Sequence, residues 1–172
     1  MSPGDDPVDS PGWLPVSPLM ISPQLITTLL IWIAHATGYA IPGTPPTITL
    51  VPHAELEDRF CHRSCEILGF TTPEGAILLD DRLQIGKDEA ATSILVHELT
   101  HFLQRANSGS SAPVTCQLWV DREDEAYDIQ YRWLHEKSPS IQLLSRAMNE
   151  LNTHPFLLKC PDGNATVNIP QP

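Results

Sequence analysis

The sequence predicts an α+β protein, in which a small sheet of about three strands packs on a helical half. Three observations carry that reading. Apolar residues recur at helical spacing over residues 25–33 and again from Ala90 onward. Between them, residues 47–51 and 76–79 are apolar or β-branched runs bounded by proline and glycine. The chain has 172 residues, 41% of them hydrophobic, enough for one real core and no more.

Residues 1–21 carry Pro3, Pro7, Pro11, Pro15 and Pro18 without periodicity, so they read as an extended lead to a single domain over 22–160. Ser22-Pro23 opens the first helix, which runs on Leu25, Ile26, Leu29, Leu30 and Ile33 to Gly38. Thr27, Thr28 and His35 interrupt this most apolar stretch, and it falls short of the ~20 residues a membrane span needs. Pro42, Pro45 and Pro46 exclude helix before the strand at 47–51. A short helix follows at 54–60. Strands at 66–70 and 76–79 flank the turn Thr72-Pro73-Glu74-Gly75. Beyond Lys87-Asp88 the period turns helical, with helices at 90–106, 118–136 and, after Pro139, 141–151. Residues from 153 read as coil pinned at Cys160, and 161–172 as a tail.

Ten Lys and Arg against 21 Asp and Glu give a net charge of −11. That argues against a nucleic-acid backbone or a charged membrane surface as partner. The expected partner is a peptide or protein substrate, and the expected state a monomer. The acidic lead is unlike a secretory signal. Even so, the four cysteines favour export, with any signal peptide absent from this chain. Two disulfides are the preferred reading, with three pairings open; Cys61 and Cys65, four apart, could bridge each other, and Cys116 with Cys160 would then tie the tail to the helical part. Reduced thiols, or Cys61-His62-x-x-Cys65 as half of a structural zinc site, are the alternatives.

His97-Glu98-Leu99-Thr100-His101 is the segment that carries chemistry. Histidines four apart share one helix face, so both imidazoles can reach a single zinc ion. Glu98 is rotated roughly 100° from His97, beside the ion rather than on it, where it can take a proton from water. Ala91, Ile94, Leu95, Leu99 and Phe102 form an apolar stripe with the two histidines at its edge. Zinc needs a third protein ligand. The next helix offers Glu123 and Glu125, which lie on opposite edges of a stripe formed by Leu118, Trp119, Ala126, Ile129, Trp133 and Leu134. Periodicity does not choose between them. Asp124 and Asp128 read as solvated.

The motif His-Glu-Leu-Thr-His, followed by Glu125-Ala126 on a downstream helix, resembles the gluzincin class of zinc metallopeptidases. The wider run over residues 45–135, with Ala76-Ile77-Leu78-Leu79-Asp80, His101-Phe102-Leu103-Gln104 and Glu125-Ala126-Tyr127-x-x-Gln130, resembles small uncharacterised bacterial metallopeptidase-like proteins. The resemblance implies zinc held by His97, His101 and Glu125, with Glu123 as second choice, and Glu98 as the catalytic carboxylate. In thermolysin-like members an Asp four residues after the ligand Glu supports a ligand histidine. Ile129 stands there instead, so support must come from Asp128, Asp121 or a backbone carbonyl. Tyr127, Tyr131, His135 and Arg122 are the candidates for stabilising an oxyanion. Such peptidases lay substrate along an edge strand, here residues 76–79 or 47–51, if either is not simply a buried strand.

His35, His53, His62, His135 and His154 have no partner at ligand spacing and are assigned to no metal. Asp80-Asp81 reads as a turn, with calcium binding the alternative. Two rival functions remain at this level: a binding module with a structural zinc, and a metal-free helical adaptor.

Overall fold

The computed structural model describes residues 21–61, 64–108 and 115–138. The expectations for residues 1–20, the helix at 141–151, the tail and Cys160 fall outside the described residues. Within them the α+β arrangement holds. Helix α1 (Pro23–Thr37), strand β1 (Ile48–Val51), helix α2 (His53–Leu56), strands β2 (Gly69–Thr71) and β3 (Ile77–Asp80), and helices α3 (Glu89–Asn107) and α4 (Cys116–Lys137) follow in that order.

The helices begin and end where their side chains dictate. Proline occupies the first turn of α1, and Gly38 closes it at φ 81°, donating its N–H to Ala34 O. Asp88 caps α3 by accepting the Ala91 N–H, and Thr115 caps α4 by accepting that of Leu118. With its cap at Thr115, α4 starts two residues earlier than its apolar spacing indicates. Leu118 is thereby left 40% exposed, outside the stripe expected to hold it.

The sheet has the order β1-β3-β2, with β1 parallel and β2 antiparallel to β3. The run at 76–79 is therefore the central strand, and it is not an edge on which substrate could lie. Its continuous apolar character suits burial on both faces. Ile77 and Leu79 point into the main core with Leu29, Leu30 and Ile33 of α1, Leu95, Val96, Leu99 and Leu103 of α3, and Ile129, Trp133 and Leu134 of α4. Leu78 points the other way, onto Val51 and Leu56. Strand β2 covers three residues rather than five, because β3 offers it partners only at Ile77, Leu78 and Leu79. A last ladder bond runs from Asp80 N to Leu68 O.

The helix expected at 54–60 begins at His53 and widens into a π turn over Glu57–Cys61. There Cys61 is joined to Cys65 in a disulfide, which removes both sulfurs from any zinc half-site. Cys116 is also disulfide-bonded. Asp80, wholly buried, ends β3 by accepting hydrogen bonds from the backbone and guanidinium of Arg82, and pairs with His53 Nδ1 at 2.7 Å. It is thus a closing group for the turn after β3. The Arg82 guanidinium first, then its backbone N–H and His53, hold the carboxyl below the usual range against the opposing effect of burial.

Candidate metal centre

Helices α3 and α4 lie antiparallel, as their bonded pairs show. Ser93 meets Gln130, His101 meets Glu123, and Ser108 meets Arg122. Ala126, fully buried, lets the two helices close up at mid-length. Beside that contact, His97 Nε2 and His101 Nε2 are 3.0 Å apart, and the Glu123 carboxylate lies 3.5 Å from the first and 3.3 Å from the second. These three residues form a group that could hold a metal ion.

The spacing can be tested against coordination chemistry. Four-coordinate zinc with bonds of about 2.0–2.1 Å sets its ligand atoms roughly 3.3–3.4 Å apart. The three separations bracket that value. The donor set also fits, with two imidazoles and one carboxylate. Among the described residues no fourth His, Cys, Asp or Glu joins the group.

The sequence reading placed Glu125 in this position, with Glu123 behind it. The structure brings Glu123 to the histidines and turns Glu125 elsewhere. The reason is which neighbour each edge of α4 meets. Glu123 is seven residues before Gln130, whose amide reaches Ser93 of α3, so this edge faces α3. Glu125 is eleven residues before Glu136, which accepts from Trp32 of α1. Its own carboxylate accepts from Tyr39, just past α1, at 2.7 Å, and from Gln104, one turn beyond His101 on α3, at 2.8 Å.

Without a cation, His101 and Glu123 act as an ion pair. Burial disfavours the charged His101, but the hydrogen bond and charge of Glu123 outweigh it and push the imidazole up to about 9. Burial likewise acts to raise Glu123, yet bonds to His101 and His97 hold it far below the usual carboxylate range. A group that so strongly attracts protons to its donors suits a cation in their place.

Glu98 is 5% exposed, and burial pushes its carboxyl up against the opposing pull of His97 and His101. Its Oε2 is 2.8 Å from the Thr71 hydroxyl of β2, which also lies 3.0 Å from the Glu98 carbonyl. A Cβ at Gly69 would meet Glu98 Cγ and Oε1 at 2.9 Å, so this strand residue must lack a side chain for the carboxylate to sit where it does. Strand β2 therefore shapes the pocket of Glu98 with Gly69 and holds it with Thr71.

Support for the histidines comes from none of the expected groups. Asp121 accepts from Gln117, and Asp128 is exposed. Instead His101 Nδ1 lies 2.8 Å from Gln104 Oε1, one turn on along α3. His97 Nδ1 is buried and unpartnered among the described residues. Of the candidate oxyanion groups, Tyr127 packs its ring 4.5 Å from that of His97, and Tyr131 stacks beyond it. Burial pushes the Tyr127 hydroxyl well above the usual tyrosine range, with Glu123 adding to the effect. Arg122 donates to Ser108, and His135 is exposed near the end of α4. Gly69, Thr71 and Gln104 escaped sequence reasoning. Only Gln104 had a signal, its position three residues after His101 on the same helix face.

Comparison of the chain with protein-family models, with curated proteins and with solved structures gives no match.

Proposed function

We propose that the chain is a zinc-dependent peptidase in which His97, His101 and Glu123 hold the ion and Glu98 is the general base. The observation that carries this is the tetrahedral-scale spacing of three donors with a buried carboxylate next along the same helix. Bound there, zinc supplies Lewis acidity towards a carbonyl and brings water to near-neutral acidity. Glu98 accepts the proton on its carboxylate and returns it to the leaving amine, with Thr71 keeping Oε2 in place. The raised affinity of Glu98 for a proton suits both halves of that exchange. Three protein ligands among the described residues, rather than the four of structural zinc sites, favour an open reactive position over a scaffold role.

The test is elemental analysis of the purified protein, paired with mass-spectrometric detection of cleavage in an unstructured peptide mixture. Stoichiometric zinc is expected in the wild type and in Glu98→Gln, and loss of zinc in His97→Ala, His101→Ala and Glu123→Ala. Turnover in Glu98→Gln should fall by roughly 10²–10⁴-fold. A Glu98→Gln protein that cleaves peptides as fast as the wild type would refute the assigned base. Zinc without cleavage in the wild type would favour a structural site.

A further inference from the structure

We infer that Gln104 is a positioning residue which fixes the imidazole proton of His101 at Nδ1, so that the Nε2 lone pair faces the metal position. The inference rests on the metal-site reading above. An amide side chain has one end that only accepts and one that only donates, and its neighbours decide which end is which. One end of Gln104 lies 2.9 Å from the backbone carbonyl of Arg122 and 2.8 Å from Glu125 Oε2. A backbone carbonyl never donates, so that end is the NH2 group. The other end is then the carbonyl oxygen, and it faces His101 Nδ1 at 2.8 Å. An acceptor there requires a proton on Nδ1. A metal-bound imidazole is neutral and carries only one proton, so with a cation in the site Nε2 is left as the lone pair, on the side of the ring where His97 Nε2 and Glu123 lie.

The amide cannot easily turn over. Gln104 is 3% exposed, which leaves no room for water to replace its partners. Glu125 also holds the hydroxyl of Tyr39. The next residue, Ala40, is clamped by Asn107 of α3, whose amide bonds both its N–H and its C=O at 2.9 Å. The lock on His101 therefore draws on α3, α4 and the segment that follows α1. This also assigns Glu125 a purpose: it steadies the residue that orients the ligand. A neutral amide orients the imidazole without placing a negative charge against it, unlike the carboxylates that commonly serve metal-bound histidines.

The experiment measures zinc affinity by competition with a chromophoric chelator, and the visible spectrum of the cobalt-loaded protein. Gln104→Met, close in volume but unable to accept, should bind zinc about 10–100-fold more weakly and alter the cobalt bands. The paired exchange Gln104→Glu with Glu125→Gln restores an acceptor at 104 and a donor at 125, and should recover most of that loss. Gln104→Met with wild-type affinity and an unchanged cobalt spectrum would overturn the inference while leaving the metal site standing. Wild-type protein that binds no zinc would instead overturn the metal-site reading. Nitrogen-15 NMR of the zinc-loaded wild type reads directly which ring nitrogen of His101 keeps its proton and which faces the metal. A proton on Nδ1 of His101 is expected, and one on Nε2 would overturn the inference even if Gln104→Met failed to fold.

Discussion

Gly69→Ala adds a single methyl group, and the structure says where it lands. The new Cβ would sit 2.9 Å from Glu98 Cγ and Oε1, and 3.0 Å from Leu79 Cδ2. Ordinary carbon contacts begin near 3.5 Å, so Glu98 or the strand must move by several tenths of an ångström. The Leu79 contact is to the far end of a flexible side chain. The Glu98 contact involves the stem of a side chain held between Thr71 and α3. Overpacking of this kind costs about 1–3 kcal/mol. At roughly 4 °C per kcal/mol for a domain of this size, the midpoint of thermal unfolding should fall by about 4–12 °C. The substitution introduces no positive-φ strain, since Gly69 is not among the left-handed glycines. Differential scanning calorimetry of Gly69→Ala in the wild-type and Glu98→Ala backgrounds isolates the contact. The two changes should couple by at least ~1 kcal/mol, with the penalty smaller once Glu98 is truncated. An equal penalty in both backgrounds would mean that Gly69 is not kept small by Glu98.

The outcomes of four further variants follow from the fold. Asp80→Asn should cost about 1.5–3 kcal/mol at neutral pH in chemical denaturation, by weakening charged bonds to Arg82 and His53. Because the folded carboxyl titrates below its unfolded value of about 3.9, its stabilisation is full above that value and fades as pH falls through the lower one. The gap between wild type and Asp80→Asn should therefore close in strongly acidic solution and stay constant from pH ~5 to ~7. Asp88→Ala, which removes the bond to the Ala91 N–H, should cost about 1 kcal/mol. Ser22→Ala should be nearly neutral by the same assay, because the Ser22 hydroxyl caps no backbone group of α1. The double change Cys61→Ser with Cys65→Ser opens a loop of only five residues, for which chain entropy gives about 2 kcal/mol, readable as a shift in urea midpoint.

The helix bearing His97 and His101 was legible because its period, its capping Asp88 and its ligand spacing are all local properties of one segment. The choice between Glu123 and Glu125 was not. Both flank Ala126, and what separates them is the direction from which α1 approaches α4, a fact of tertiary packing. The unbroken apolar run Ile77-Leu78-Leu79 did carry the mark of a central strand, since an edge strand with one wet face alternates instead. Gly69 and Thr71 were opaque for the opposite reason. In a three-residue strand, neither residue type nor spacing indicates that its face will shape and hold a carboxylate on a helix 27 positions away. Spacing allowed the Cys61–Cys65 bridge but equally allowed reduced thiols or a zinc half-site, and only the folded positions of the two sulfurs decide between them.

The bond between Trp32 and Glu136 joins residues 104 apart in the chain, and that between Tyr39 and Glu125 spans 86. A ribosome adding about 5–20 residues per second needs roughly 5–20 s to make the first of these intervals. For that time Leu29, Leu30 and Ile33 of α1 face an unfinished core, first without β3 and α3 and then still without Ile129, Trp133 and Leu134 of α4. An apolar surface waiting that long is what chaperones recognise, so nascent chains halted before α4 should be held by them and full-length chains released.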